Sequence, residues 1–401
     1  NDDYDVKLPN KNEVKAEEQD DVPQYEDTEI VRVSIVLEDP STLEQGFTAD
    51  DIATQSRKAV KYRQKLQTAQ EKMEGKISTQ ALDGEALDVV WNLTLAANII
   101  SANVEYGQIE EIEKVKGVKE VLIETCYEPC VVNREEAADP NMSTSDEMIG
   151  SISAWASGYT GAGRKIAIID TGADVDHPSL NPDAFSYAVK DNDATLMTAA
   201  DTEKVLSQLN VFARRSSTTA SDLYVNAKIP FGFNYIDNNL NIGHDKDTAG
   251  DHGSHVAGIA AANRYVENSD GTYSDALDTV LTQGVAPDAQ LLVMKVFGKG
   301  GGAYAADYMA AIEDAIVLGC DAVNLSLGSG SPGFNRNSDE TYQAILDSLT
   351  ESGIVATMSA GNSGAWMDHS YSPTGHLYAG DVSMTTTGMP GTFANALSTE
   401  L

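Results

Sequence analysis

Three short strand-like runs each stop at a glycine-marked turn, RKIAIIDTGADVDHP (164–178), DAVNLSLGSGSP (321–332) and IVATMSAGNSG (354–364), and the first is wholly apolar from Ile166 to Ile169. Strands that read as unbroken hydrophobic runs are buried on both faces, which implies a parallel sheet with helices packed on each side. The first run carries Asp170 at its carboxyl end, where open α/β sheets put their sites. A fourth stretch, TAGDHGSHVAGIAAA (248–262), begins as a glycine-marked loop and continues as a small-residue segment that can only be a closely packed helix. His252 falls at that loop-to-helix junction. A histidine so placed can turn one ring nitrogen toward a cleft while a carboxylate holds the other, the arrangement that nucleophilic acyl transfer requires.

In chain order, IIDTGADVDHP, DHGSHVAGIAA, VNLSLGSG and SAGNSG resemble the subtilisin family of serine peptidases, whose catalytic residues run aspartate, histidine, serine. The resemblance implies a doubly wound, mostly parallel α/β sheet, incomplete here, preceded by a small α+β propeptide sandwich. It also implies that Asp170 orients the imidazole and that His252 takes and returns the nucleophile's proton. By the same resemblance Asn362 donates a side-chain N–H to the oxyanion. Gly300, Gly301 and Gly302 become an unpartnered edge onto which a substrate backbone adds by β-pairing, close approach being allowed because side chains are missing. Periodicity alone leaves a flexible hairpin as the alternative there. Ser326, Leu327 and Gly328 become the facing wall, with the pocket for the residue before the cut bond between them and the Asn362 strand.

The family's usual HGTH is HGSH here, which keeps a hydroxyl. His255 is expected to pack or hydrogen-bond within its helix, and Asp174 and Asp176 to be solvated. A metal site on His252 and His255 is disfavoured, because no glutamate follows the first histidine and no third ligand is evident. About 80 residues separate Asp170 from His252, more than in compact subtilisins, and the excess lies at about 183–226 in polar, low-aromatic sequence that reads as a surface insertion. Together with the following KIPFGFNYIDNN (228–239), the long gap resembles the cell-envelope subtilases of Gram-positive bacteria, the group of lactocepins and C5a peptidases.

A formal net charge of -35 argues against nucleic acid and against an anionic membrane surface as partners, and favours a secreted or cell-surface life. No apolar run approaches the roughly 18 residues that span a bilayer. The chain begins at Asn1 without a leader, so any secretion signal is expected to have been removed. Three cysteines exclude a disulfide-stapled scaffold. Cys126 and Cys130 read as unpaired thiols with a local bridge as the alternative, and Cys320 as a core residue. The chemistry needs no cofactor. Structural calcium in the aspartate-rich loop YIDNNLNIGHDKDTAGD (235–251) is one expectation and a solvated loop the other, since the ligand spacing matches no specific motif.

Ahead of the peptidase, residues 1–28 read as a disordered acidic arm. Residues 29–132 follow as strand (29–37), helix (49–75), strand material (89–104), helix (108–116, stopped by Gly117) and strand (118–124), a split βαβ sandwich. By position this is expected to be a propeptide whose tail lies in the active cleft, with 133–148 the processing linker and 149–401 the N-terminal part of the peptidase. The family carries its nucleophile in a G-T-S-M-A type motif after the asparagine turn, and no such motif occurs here; GTFANAL (391–397) has phenylalanine where the serine belongs. The serine is therefore expected outside this chain, on a C-terminal remainder in the same precursor or a second polypeptide. The 401 residues alone are expected to be inactive. The alternative is a non-catalytic, protein-binding descendant.

Overall fold

The computed structural model describes residues 25–129, 142–244, 247–248, 250–328, 339–359 and 397–399. Its N-terminal part is a four-stranded antiparallel sheet. Chain order is Ile30–Leu37, Asp88–Leu93, Ile99–Glu105 and Val118–Ile123, and Ile30–Leu37 and Ile99–Glu105 are the two central strands. The long helix Arg57–Ala81 buries Ala59, Arg63, Leu66, Gln70, Met73 and Ile77, a stripe spaced by threes and fours as a helix requires. Alternation along the strands divides the sheet. Val31, Val33, Ile35, Ile100 and Val121 pack with Met73 and Ile77, while Val36, Trp91, Leu93, Ile99 and Leu122 join the core that follows in the chain.

Two expected elements differ. The helix expected over 49–75 is two helices, Ala49–Ala53 and Arg57–Ala81. The apolar run 89–104 is not one strand but Asp88–Leu93 and Ile99–Glu105, paired with each other. No Gly or Pro marks the turn between them. The turn is held from helix Ala305–Val317, where the Glu313 carboxylate accepts from the N–H groups of Leu95 (2.9 Å) and Ala96 (2.7 Å).

The second sheet has six parallel strands in the order 397–399, Val355–Ser359, Ala322–Leu325, Lys165–Asp170, Gln290–Lys295, Phe231–Asn234. Helices cover both faces. Ile168, Leu291 and Val293 cluster with Ala257 and Ala261 of helix His252–Ala261, whereas Ala167, Ile169, Leu292 and Met294 cluster with helix Ala305–Val317. Later strands lie on both sides of Lys165–Asp170, so Asp170 ends the strand at which the winding reverses.

Residues 183–226 do more than cover surface. They form short helices including Ala199–Val205, Asn210–Arg214 and Ala220–Leu223, and they bury Phe185, Leu206, Leu209, Val211 and Leu223. Their apolar residues come in short clusters of one to three among polar ones, too short for a periodicity to show the burial.

Candidate active site

Asp170 is fully buried at the end of its strand, and its Oδ1 accepts from the Thr171 N–H at 2.7 Å. His252 opens its helix, and its Nδ1 lies 2.8 Å from the same Oδ1. A carboxylate only accepts, so this contact puts the ring proton on Nδ1 and makes Nε2 the basic nitrogen. Two glycines allow the approach. A Cβ on Gly253 would sit 2.1 Å from the Gly172 carbonyl oxygen, and one on Gly172, at φ +100°, would sit 2.2 Å from the Ile242 carbonyl oxygen. Thr171 closes the junction by accepting the Gly253 N–H on its hydroxyl at 2.8 Å. The serine of HGSH braces the same junction, since Ser254 Oγ accepts the Asp174 N–H at 2.7 Å and lies 2.7 Å from His244 Nε2.

A third, small sheet lies next to the residues expected as cleft edges. Ala303–Tyr304, just after the three glycines, and Leu327–Gly328 both pair antiparallel with Cys126–Pro129, which runs between them. A Cβ on Gly302 would meet Cys126 Sγ at 2.5 Å, so that thiol would have to turn aside; Gly301 takes φ +90° in the turn, and Gly300 is open. Opposite, Leu327 faces Pro129 and Gly328 faces Glu128, while the Ser326 hydroxyl accepts from Asn324 Nδ2 at 2.9 Å. Tyr127 is completely buried, edge-on to Tyr308 with ring centroids 5.3 Å apart. Asn362 and Cys130 lie outside the described residues; strand Val355–Ser359 leads toward the former.

Residues 161–400 match the Subtilase family of peptidase S8. The chain belongs to the subtilase family. This subtilase is 32% identical over 289 residues to the PII-type proteinase of Lactococcus lactis subsp. cremoris, covering 71% of this chain and 13% of that protein. It is 30% identical over 303 residues to the minor extracellular protease Vpr of Bacillus subtilis (strain 168), covering 73% of this chain and 28% of Vpr. To a C5a peptidase of Streptococcus pyogenes serotype M3 it is 31% identical over 205 residues, covering 50% of this chain and 15% of the peptidase. The chain thus matches well under a third of the length of these relatives.

Several site residues of this subtilase carry no local sequence signature of the family. Lys295 is buried beside Asp170 in register, and its ammonium donates to the Thr171 carbonyl and, at 2.5 Å, to Asp247 Oδ2. One signal does point to it: a lysine closing the apolar strand QLLVMK has no reason to be there unless it is paired. Asp247 is thereby committed to an ion pair, and Asp237 accepts from Asn234 Nδ2. Among the described residues no three His, Cys, Asp or Glu side chains converge as a metal site. His255 does not pack inside its helix but is exposed. Cys126 is a free, exposed thiol, whereas Cys320 is buried, which pushes its thiol up to about 12.

Proposed function

We propose that this chain is the inhibited N-terminal part of a secreted or cell-surface serine endopeptidase that hydrolyses peptide bonds in proteins. The observation that supports it best is the pairing of Cys126–Pro129 between Ala303–Tyr304 and Leu327–Gly328, on the same molecule that brings His252 to Asp170. An extended segment added to two sheet edges is how a peptidase holds the backbone it cuts. On this reading residues 29–132 are a propeptide whose tail occupies the cleft as a built-in substrate mimic, and the processing cut falls in the linker 133–148.

Asp170 keeps the imidazole in one tautomer and stabilises the imidazolium as it forms. His252 Nε2 takes the proton of a serine hydroxyl and returns it to the leaving amine. Asn362 supplies a hydrogen bond to the developing oxyanion. The serine comes from sequence outside this chain. Family membership and the extracellular name of Vpr support a secreted enzyme. Protein substrates are proposed because the relatives named above are proteinases and peptidases.

The test is fluorophosphonate labelling of the full-length protein, with intact mass of every labelled species. A label on a serine of the C-terminal remainder, lost in His252→Ala, is the expected result. Absence of label from the processed full-length protein would instead support a binding protein descended from a subtilase.

A further inference from the structure

Strand Cys126–Pro129 is one attachment of the N-terminal domain, and a second begins at Asp307, which also holds the Tyr304 N–H beside that strand, and extends to residues 206–214. Trp91 is 2% exposed although it projects from the domain's sheet. Its indole N–H donates to Asp307 Oδ1 at 2.8 Å, the Arg214 guanidinium lies 4.2 Å from the ring centroid, and the Tyr235 ring packs at 5.9 Å. Arg63, 1% exposed, reaches the same region from helix Arg57–Ala81. It donates to the Gln208 carbonyl and, at 3.5 Å, to Asn210 Oδ1, with Glu313 Oε2 also at 3.5 Å.

Gln208, Asn210 and Arg214 all belong to the 183–226 segment. The peptidase fixes that segment independently of the domain. Asp314 accepts the N–H groups of Asn210 (2.6 Å) and Val211 (3.2 Å), Asn210 Nδ2 donates to Glu313 Oε2 at 3.0 Å, and Arg214 Nη1 donates to the Tyr235 carbonyl at 2.6 Å. The receiving surface is therefore built into the peptidase. Tryptophan and arginine are the residue types that anchor protein interfaces when fully desolvated in pockets, and the guanidinium over the indole adds a cation–π contact. A buried arginine whose partners lie largely across the boundary ties the two bodies together, because separating them means rehydrating both sides.

We propose that residues 206–214 form a dedicated seat for the N-terminal domain, with Trp91 and Arg63 as its anchors, so that the domain stays on the peptidase after the linker is cut. This deepens the propeptide reading and rests on it. The Arg63 contacts to Gln208 and Asn210 lie outside the small sheet that holds the tail, so they persist when the tail loses its grip. A subtilase lacking the 206–214 segment would hold this domain less tightly.

The experiment uses the full-length protein with a site-specific protease sequence placed within residues 133–148. After cutting, co-elution of the N-terminal fragment is followed by size exclusion over a dilution series. Wild-type fragments are expected to co-elute, and Trp91→Ala and Arg214→Ala to raise the dissociation constant at least about thirtyfold, the scale of losing an anchor residue. Uncut variants serve as the folding control, since the linker keeps the effective concentration high. If Trp91→Ala misfolds uncut, Arg214→Ala and Trp91→Phe decide. Variants that co-elute as tightly as wild type would overturn the seat. A cut wild type that keeps its fragment yet hydrolyses substrate at the rate of the domain-free enzyme would overturn the inhibitory reading and leave the seat standing.

Discussion

His252 and Asp170 meet because two positions have no side chain. Gly253→Ala would push a methyl into the Gly172 carbonyl, which is backbone and cannot rotate away. We expect it to lower stability by at least about 1–3 kcal/mol, the cost of overpacking, and to abolish activity of the full-length enzyme; a thermal melt and a turnover assay check both. Asp170→Asn and His252→Ala should leave the melt nearly unchanged. Each should cut kcat by about 10⁴-fold or more, the range known for subtilisins. Both residues were legible in the sequence, because a carboxylate ending a buried strand and a histidine opening a glycine-rich helix are local patterns. Lys295, Thr171 and Ser254 support the pair through contacts 48 to 124 residues away in sequence, and no local pattern announces those.

The strand Cys126–Pro129 carries its own prediction, because it pairs on both edges and buries one large ring. If this strand mimics substrate, the pocket against Tyr308 is shaped for an aromatic side chain, and peptides carrying one at the register of Tyr127 should be preferred. Replacing that aromatic by alanine should lower kcat/KM by about 10–100-fold, as loss of a buried ring in a tight pocket costs a few kcal/mol; a peptide series varied at that position measures it. The hairpin of residues 94–98 shows the opposite case. Sequence patterns read the run as strand but missed the turn that divides it, because the acceptor for Leu95 and Ala96 is a glutamate more than 200 residues away. Glu313→Ala should therefore loosen the domain by about 2–3 kcal/mol, the range for hydrogen bonds to a charged group, measured as the fragments' affinity after the linker is cut.

At the scale of the whole molecule the question is how so acidic a chain tolerates carboxylates in its interior. Asp314 is buried beneath the 206–214 segment, and desolvation raises its pKa to about 7 despite the N–H groups of Asn210 and Val211, the Tyr235 hydroxyl and the nearby Arg63. Burial also raises Glu124 and Asp307, which lie where the N-terminal domain meets helix Ala305–Val317. A folded-state value above the unfolded one means that folding takes up a proton. For Asp314 the resulting stability is complete below the unfolded value of 3.8 and is lost as pH rises through about 7. Linkage sets its ceiling at about 4 kcal/mol. General repulsion from a net charge of -35 pulls in the same direction, so a melt that falls between pH 5 and pH 8 would not by itself identify the cause. Asp314→Asn separates them: it removes the titration and one charge in 35, leaving the repulsion almost intact. The asparagine can accept the Asn210 N–H but must oppose the Val211 N–H with its own, so its stability at pH 5 should drop by about 1–3 kcal/mol. Its denaturation midpoint should nonetheless change much less between pH 5 and pH 8 than that of the wild type. An unchanged slope would assign the pH dependence to surface charge instead.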